Sequence, residues 1–274
     1  MARCSAGVSI VREPLMYIPG RLLAEPLLPQ PHDSLVIIPD PMRTGWSAAL
    51  AEDLLAQSDI DVLVTSADEL ADWRAGKLAR RFPGRVKVFN CPDPDDCGRV
   101  VRWAFRYAAS AGYRTAFLTD PALGPDADQL SAMRQALERS DVVVASRGPG
   151  GGLWGGGGAN AVVRRLVTAA ACALAGLPEV DLTSGCKGFS RQAFESMRWH
   201  RFEREPLAVQ VELTCSCVRC GFRIAEVPAR FRGEPAPGGH GWAGVARLLR
   251  LLPGLAAGRS WPELPPQGAH GGIG

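Results

Sequence analysis

Leu35-Val36-Ile37-Ile38-Pro39-Asp40 is a run of four apolar residues closed by a proline. A run this short and continuous, without polar alternation, predicts a strand buried on both faces of a sheet. A helical pattern follows from Trp46 to about Ala56, with Leu50, Leu54 and Leu55 on one face. The alternation then repeats. Val62-Leu63-Val64 predicts a second strand and 68–81 a helix, with Leu70, Trp73 and Leu78 as its apolar positions. Val86-Lys87-Val88-Phe89 predicts a third strand, and Val100 to Ala111 a helix closed by Gly112. Thr115-Ala116-Phe117-Leu118 predicts a fourth strand, running into Thr119-Asp120. Further on come a helix over 128–139, the strand Val142-Val143-Val144-Ala145 and an apolar helix from Arg164 to Gly176. A helix around Gln210–Arg219 and a strand over Gly221–Val227 complete the series. Strands alternating with helices predict one α/β domain with a mostly parallel sheet covered on both faces. Such a sheet binds ligands at the carboxyl ends of its strands. Asp120 stands at one such end, and Asp40 and Ser66 follow two others.

Composition narrows the class. Of 274 residues, 46% are hydrophobic and 22% charged, enough apolar surface to offset chain ordering and so to exclude a disordered protein. The net charge of +3 does not point to nucleic acid, and none is expected as a partner. No apolar run reaches the roughly 18 residues of a membrane span. Arg12 and Glu13 interrupt the N-terminal apolar residues, so no secretory signal is expected. Eight Cys in a chain of this length do not suit a disulfide scaffold. The expected setting is the reducing cytoplasm, with free thiols. Residues 1–33, broken by Pro14, Pro19, Pro26, Pro29 and Pro31, read as a lead-in. Gly148–Gly158, with eight Gly among eleven residues, reads as a flexible loop. The tail from Pro262 is rich in Pro and Gly.

The second half of the chain is more specific. Asp181-Leu182-Thr183-Ser184-Gly185-Cys186-Lys187-Gly188-Phe189 is followed by Gly221-Phe222-Arg223-Ile224-Ala225-Glu226-Val227-Pro228, and Ala145-Ser146-Arg147 precedes both. Together they resemble the family-2 glycosyltransferases of the dolichyl- or polyprenyl-phosphate sugar synthase type. That family shows S-R after a strand, a D-x-T-S-G-F-[KR] block and G-[FL]-[RK]-I-x-E-V-P. The resemblance covers about residues 34–235 and implies a GT-A fold. It divides that domain into a nucleotide-sugar half, 34–126, and an acceptor half, 127–235. Residues 236–274 would form a C-terminal amphipathic helix and a flexible tail.

The resemblance implies sugar transfer from a nucleoside-diphosphate sugar to a polyprenyl phosphate or another phosphorylated or small-molecule acceptor. Donor contacts would come from Pro39, Asp40, Ser66, Asp68, Gly98 and Arg99. Arg147, Arg164, Thr168, Ser184 and Lys187 would bind the acceptor phosphate, Arg164 and Thr168 sharing a helix face at i,i+4. Asp120 and Asp181 are the candidate catalytic carboxylates. A phosphomonoester is already an anionic nucleophile at pH 7 and needs no general base. A hydroxyl acceptor would need one, and Asp181 is the nearest. The alternative for Asp181 is a cap on its own loop, ahead of Thr183 and Ser184. For Lys187 the alternative is a solvated side chain.

The donor motifs depart from the family. Pro39-Asp40-Pro41-Met42-Arg43 stands for P-x-Y-N-E, Thr65-Ser66-Ala67-Asp68 for D-D-G-S, and Asp120-Pro121-Ala122 for D-A-D. One carboxylate, Asp120, remains where two would bracket Mg²⁺ or Mn²⁺. Further coordination would fall to water, the diphosphate, Asp126 or Asp128. The rival reading is therefore a non-catalytic glycosyltransferase-like binding protein. Two other features stay open. Cys215, Cys217 and Cys220 form C-x-C-x-x-C on the expected helix, to be read as a zinc site or as ordinary cysteines. Val245, Leu248, Leu249, Leu251 and Leu252, with Arg247 and Arg250, form an amphipathic segment that either packs on the domain or meets a membrane surface. The second option would make the protein cytoplasmic but peripheral at the membrane.

Overall fold

The computed structural model describes residues 9–12, 32–39, 46–66, 77–90, 96–119, 124–146, 169, 172–173, 180–197, 202, 204 and 206–229. The strands are β1 (Ser9–Arg12), β2 (Ser34–Pro39), β3 (Asp61–Ser66), β4 (Val86–Asn90), β5 (Thr115–Leu118), β6 (Val142–Ser146), β7 (Lys187–Ser190) and β8 (Ile224–Pro228). The helices are α1 (Trp46–Gln57), α2 (Cys97–Ala111), α3 (Ala127–Leu137), α4 (Arg191–Met197) and α5 (Pro206–Arg219). Residues 77–81 are also helical, the end of the helix expected over 68–81.

The strands form one sheet in the order β1-β4-β3-β2-β5-β7-β6-β8. All neighbours pair in parallel except β7, which runs antiparallel between β5 and β6. The apolar run at residues 35–39 lies in the middle of this sheet. All of β2 is buried, and its side chains alternate between two cores, as the period of two requires. Leu35 and Ile37 pack on the α2, α4 and α5 side with Phe105, Phe194 and Leu213. Val36 and Ile38 pack on the α1 and α3 side with Leu54, Leu55 and Met133. The fold is thus the mixed α/β sheet with helices on both faces that the sequence predicts.

Local chemistry fixes the element ends. Asp96 caps α2 by accepting from Arg99 N at 2.9 Å, and Gly112 closes it in the left-handed region at φ 87°. At the end of α1, the Arg85 guanidinium donates to Leu55 O at 3.1 Å and Ile60 O at 2.8 Å, tying that helix to β3. A cation at a helix C-terminus also complements the helix dipole.

Three elements stand where the sequence reading placed none, α4 among them. β1 lies within the expected lead-in and pairs with β4 at the sheet edge. β7 begins inside the Asp181–Phe189 block, where Gly188 allows it to fit. A Cβ there would lie 2.7 Å from Phe117 Cε1 and from Val143 Cγ1.

Candidate functional site at the carboxyl edge of the sheet

Parallel strands place their carboxyl ends on one edge, and β2 meets β5 where the strand order reverses direction. That switch point is where open α/β sheets leave a crevice for ligands. Pro39 ends β2, Ser66 ends β3, and Thr119 follows β5 with its amide on Ile37 O at 3.0 Å. Asp40, Asp68, Asp120, Arg147, Arg164 and Thr168 lie outside the described residues. So do the Gly148–Gly158 loop and the amphipathic segment 245–252. The chain reaches Asp40, Asp120 and Arg147 directly from Pro39, Thr119 and Ser146, the last described residues of β2, β5 and β6 at this edge.

β7 brings the Asp181–Phe189 block to the same place. Because it is antiparallel, its first residue, Lys187, pairs with Leu118 of β5 and Val144 of β6 near their carboxyl ends. The preceding loop, 181–186, is therefore delivered to the ligand edge. It is held at every turn. Asp181 N donates to Glu226 Oε1 at 2.9 Å. Asp181 Oδ1 accepts from Thr183 N at 3.1 Å and Thr183 Oγ1 at 2.9 Å. Ser184 Oγ donates to Ala145 O at 2.6 Å, and Ala145 N donates to Cys186 O at 3.0 Å.

Lys187 is fully buried. Its ammonium donates to Leu182 O at 3.3 Å, to Ser184 O, and to Gln210 Oε1 of α5 at 2.8 Å. This corrects the solvated reading of Lys187. It is not solvated, and burying an ammonium requires hydrogen-bond acceptors around it. Ser184, also fully buried, is engaged with the backbone of β6. Asp181 takes the capping geometry that the sequence left as its alternative.

On the donor side, Pro39 is buried at the end of β2. Gly98 is buried in the first turn of α2, and Arg99 is half-buried there. That helix end is capped from within: Cys97 N donates to Arg204 O at 3.0 Å, and Arg204 pairs with Asp96 at 3.5 Å. Gly124 packs against Leu50 of α1, which pins the chain just after Asp120-Pro121-Ala122.

Asp126, one of the suggested auxiliary metal ligands, caps α3 by accepting from Gln129 N at 2.7 Å. Asp128 is exposed in the first turn of α3. Among the described residues no three His, Cys, Asp or Glu side chains converge as a metal group would require. Their donor set does not build a divalent-cation site. Cys215 and Cys217 are buried in α5 as free thiols, and Cys220 is half-buried just beyond it. Burial raises all three thiol pKa values. Two positions carry site geometry that the sequence reading gave no role. Glu226 was visible in its motif; Gln210 carried no signal.

No family model matches the chain. Among curated proteins it is 26% identical over 181 residues to an undecaprenyl-phosphate mannosyltransferase of Micrococcus luteus. That alignment spans 65% of this chain and 74% of the relative. It is 24% identical over 159 residues to a polyprenol monophosphomannose synthase of Mycolicibacterium smegmatis, spanning 57% of this chain and 60% of that protein. Among solved structures it resembles a mannosyltransferase from Pyrobaculum calidifontis in complex with GDP-Man and Mn²⁺. There the TM-score is 0.59 at 16% identity, covering 90% of this chain and 70% of the other. It also resembles glucosyl-3-phosphoglycerate synthase from Mycobacterium tuberculosis, with a TM-score of 0.56 at 17% identity, covering 96% and 90%. The fold is GT-A. The resemblance to polyprenyl-phosphate sugar synthases, drawn from the motifs, is matched by relatives that carry those names.

Proposed function

We propose that this protein is a glycosyltransferase that moves a sugar from a nucleoside-diphosphate sugar to a polyprenyl phosphate. The observation that carries this reading is the 181–186 loop, fixed at the carboxyl edge beside the ends of β5 and β6. Its sequence is the block shared in pattern with the polyprenyl-phosphate sugar synthases, and both curated relatives are named for that chemistry.

The reaction needs little from the protein beyond placement. The acceptor phosphate is anionic at pH 7; one of its oxygens forms a bond to the anomeric carbon as the bond from that carbon to the diphosphate breaks. No proton has to be removed first. Positioning and stabilisation of the leaving diphosphate supply the catalysis. The cap geometry of Asp181 favours this over a hydroxyl acceptor, because its Oδ1 is committed to its own loop. Arg147, Arg164 and Thr168 are the proposed phosphate contacts; Pro39, Asp40, Ser66, Asp68, Gly98 and Arg99 line the proposed donor side. Asp120 is the one acid of the shortened motif and the proposed carboxylate beside the diphosphate. No described helix is long and apolar enough to cross a membrane. Segment 245–252 is the proposed contact with the surface that carries a lipid acceptor.

Asp120-Pro121-Ala122 in place of a two-carboxylate motif favours a second reading, a binding protein without turnover. One experiment separates the two. The protein is incubated with GDP-mannose or UDP-glucose and a short-chain polyprenyl phosphate, with Mn²⁺ or EDTA, and both nucleotide binding and sugar transfer are measured. Transfer that falls strongly in Asp120→Ala supports the enzyme. Binding without transfer selects the second reading, and neither binding nor transfer removes both.

A further inference from the structure

We infer that Lys187 is a positioning residue for the acceptor phosphate, acting through the 181–186 loop without touching the phosphate. The inference rests on the acceptor reading above. An anion is repelled by carbonyl oxygens, so a loop that faces a phosphate must turn its own carbonyls elsewhere. Lys187 provides the elsewhere. Its buried ammonium gathers Leu182 O and Ser184 O, two carbonyls of a short loop, and Gln210 Oε1 from α5. An ammonium has three protons to donate, and these oxygens are among its acceptors. The lysine is itself rigid, because its Cα sits in β7 between β5 and β6. Glu226 holds the loop where it enters and Ala145 where it leaves. Lys187 is the inward anchor between them. Gln210 belongs to the same device: it accepts from the ammonium and ties the loop's geometry to α5.

The test uses the full chain with Lys187→Met, Lys187→Arg and Gln210→Leu. Steady-state transfer from GDP-mannose to a short-chain polyprenyl phosphate is measured beside amide hydrogen exchange of residues 181–186. Lys187→Met should raise the acceptor KM about tenfold or more, leave the donor KM within about twofold, and speed exchange in the loop. Lys187→Arg should recover part of both effects. Gln210→Leu should move both in the same direction by less, and it decides the matter if Lys187→Met does not fold. A raised acceptor KM in Lys187→Met with loop exchange unchanged would mean direct phosphate contact and overturn the inference. So would a Gln210→Leu variant with neither quantity altered. If the wild-type protein transfers no sugar to any acceptor, the functional reading falls; the exchange measurements still show whether Lys187 governs the loop.

Discussion

Asp61 shows how a single residue can matter to the fold while standing far from the chemistry. It is the first residue of β3, at the amino edge of the sheet and opposite the ligand edge. Its carboxylate is buried, accepts from Tyr113 Oη at 2.7 Å, and lies 3.6 Å from Lys87 Nζ and 3.9 Å from His32 Nε2. Removing it takes the carboxylate from a buried lysine and a buried phenol, leaving Lys87 with Gly84 O and Tyr113 with Tyr107. Asp61→Ala should therefore cost about 3–5 kcal/mol in urea unfolding, and adding Lys87→Met should recover part of the loss. Nucleotide affinity in the folded fraction should not change. A loss below about 1 kcal/mol would contradict the network. The thiols of 215–220 give a second residue-scale prediction. Burial pushes Cys215 from an ordinary 9.0 up to about 12, and Cys220 up to about 11; Cys217 is raised as well. The folded chain thus keeps protons that the unfolded chain releases above pH 9.0. Their contribution is fully present below pH 9.0 and is lost as pH rises through 11 to 12. Stability measured across that range should fall less steeply in a Cys215→Ala/Cys220→Ala variant than in the wild type; equal slopes would exclude the thiols as the cause.

At the scale of elements, β7 explains the most. It inserts antiparallel between β5 and β6 and thereby carries the 181–186 loop to the ligand edge. Gly188 makes that insertion possible, since Phe117 and Val143 occupy the space a side chain would need. Gly188→Ala should cost about 1–3 kcal/mol by overpacking, read from thermal unfolding, and a variant as stable as wild type would show that the strand has slack. The same element shows where sequence reading stops. β2, β3, β5 and β6 announce themselves as apolar runs because both of their faces are covered by helices. Lys187-Gly188-Phe189-Ser190 has no such run, so its strand was not legible. Lys187 itself looks like a surface residue until the carbonyls around it are seen. β1, four residues at an edge, lies among prolines that obscure it. The caps of α2 were more readable: Gly112 was predicted from its position, while Asp96 moved the helix start three residues earlier than the apolar pattern had.

At the scale of the molecule, one sheet separates two tasks. The amino edge holds a buried polar network; the carboxyl edge holds the ends of β2, β3, β5 and β6 and the loop before β7. The motif blocks were legible as sequence, and of their contacts the cap of Asp181 on Thr183 was foreseen as an alternative; Ser184 reaching Ala145 and Glu226 reaching Asp181 were not. The role of Gln210 was not legible, because a contact across 23 residues between β7 and α5 follows from helix packing and leaves no mark in local pattern. An anionic acceptor needs no general base, and an alcohol does. The decisive measurement offers the protein a short-chain polyprenyl phosphate and the matching polyprenol, with a radiolabelled nucleotide sugar, and follows label into the lipid phase. Label should pass to the phosphate and not, above background, to the alcohol. Transfer to the alcohol at a comparable rate would contradict an anionic acceptor.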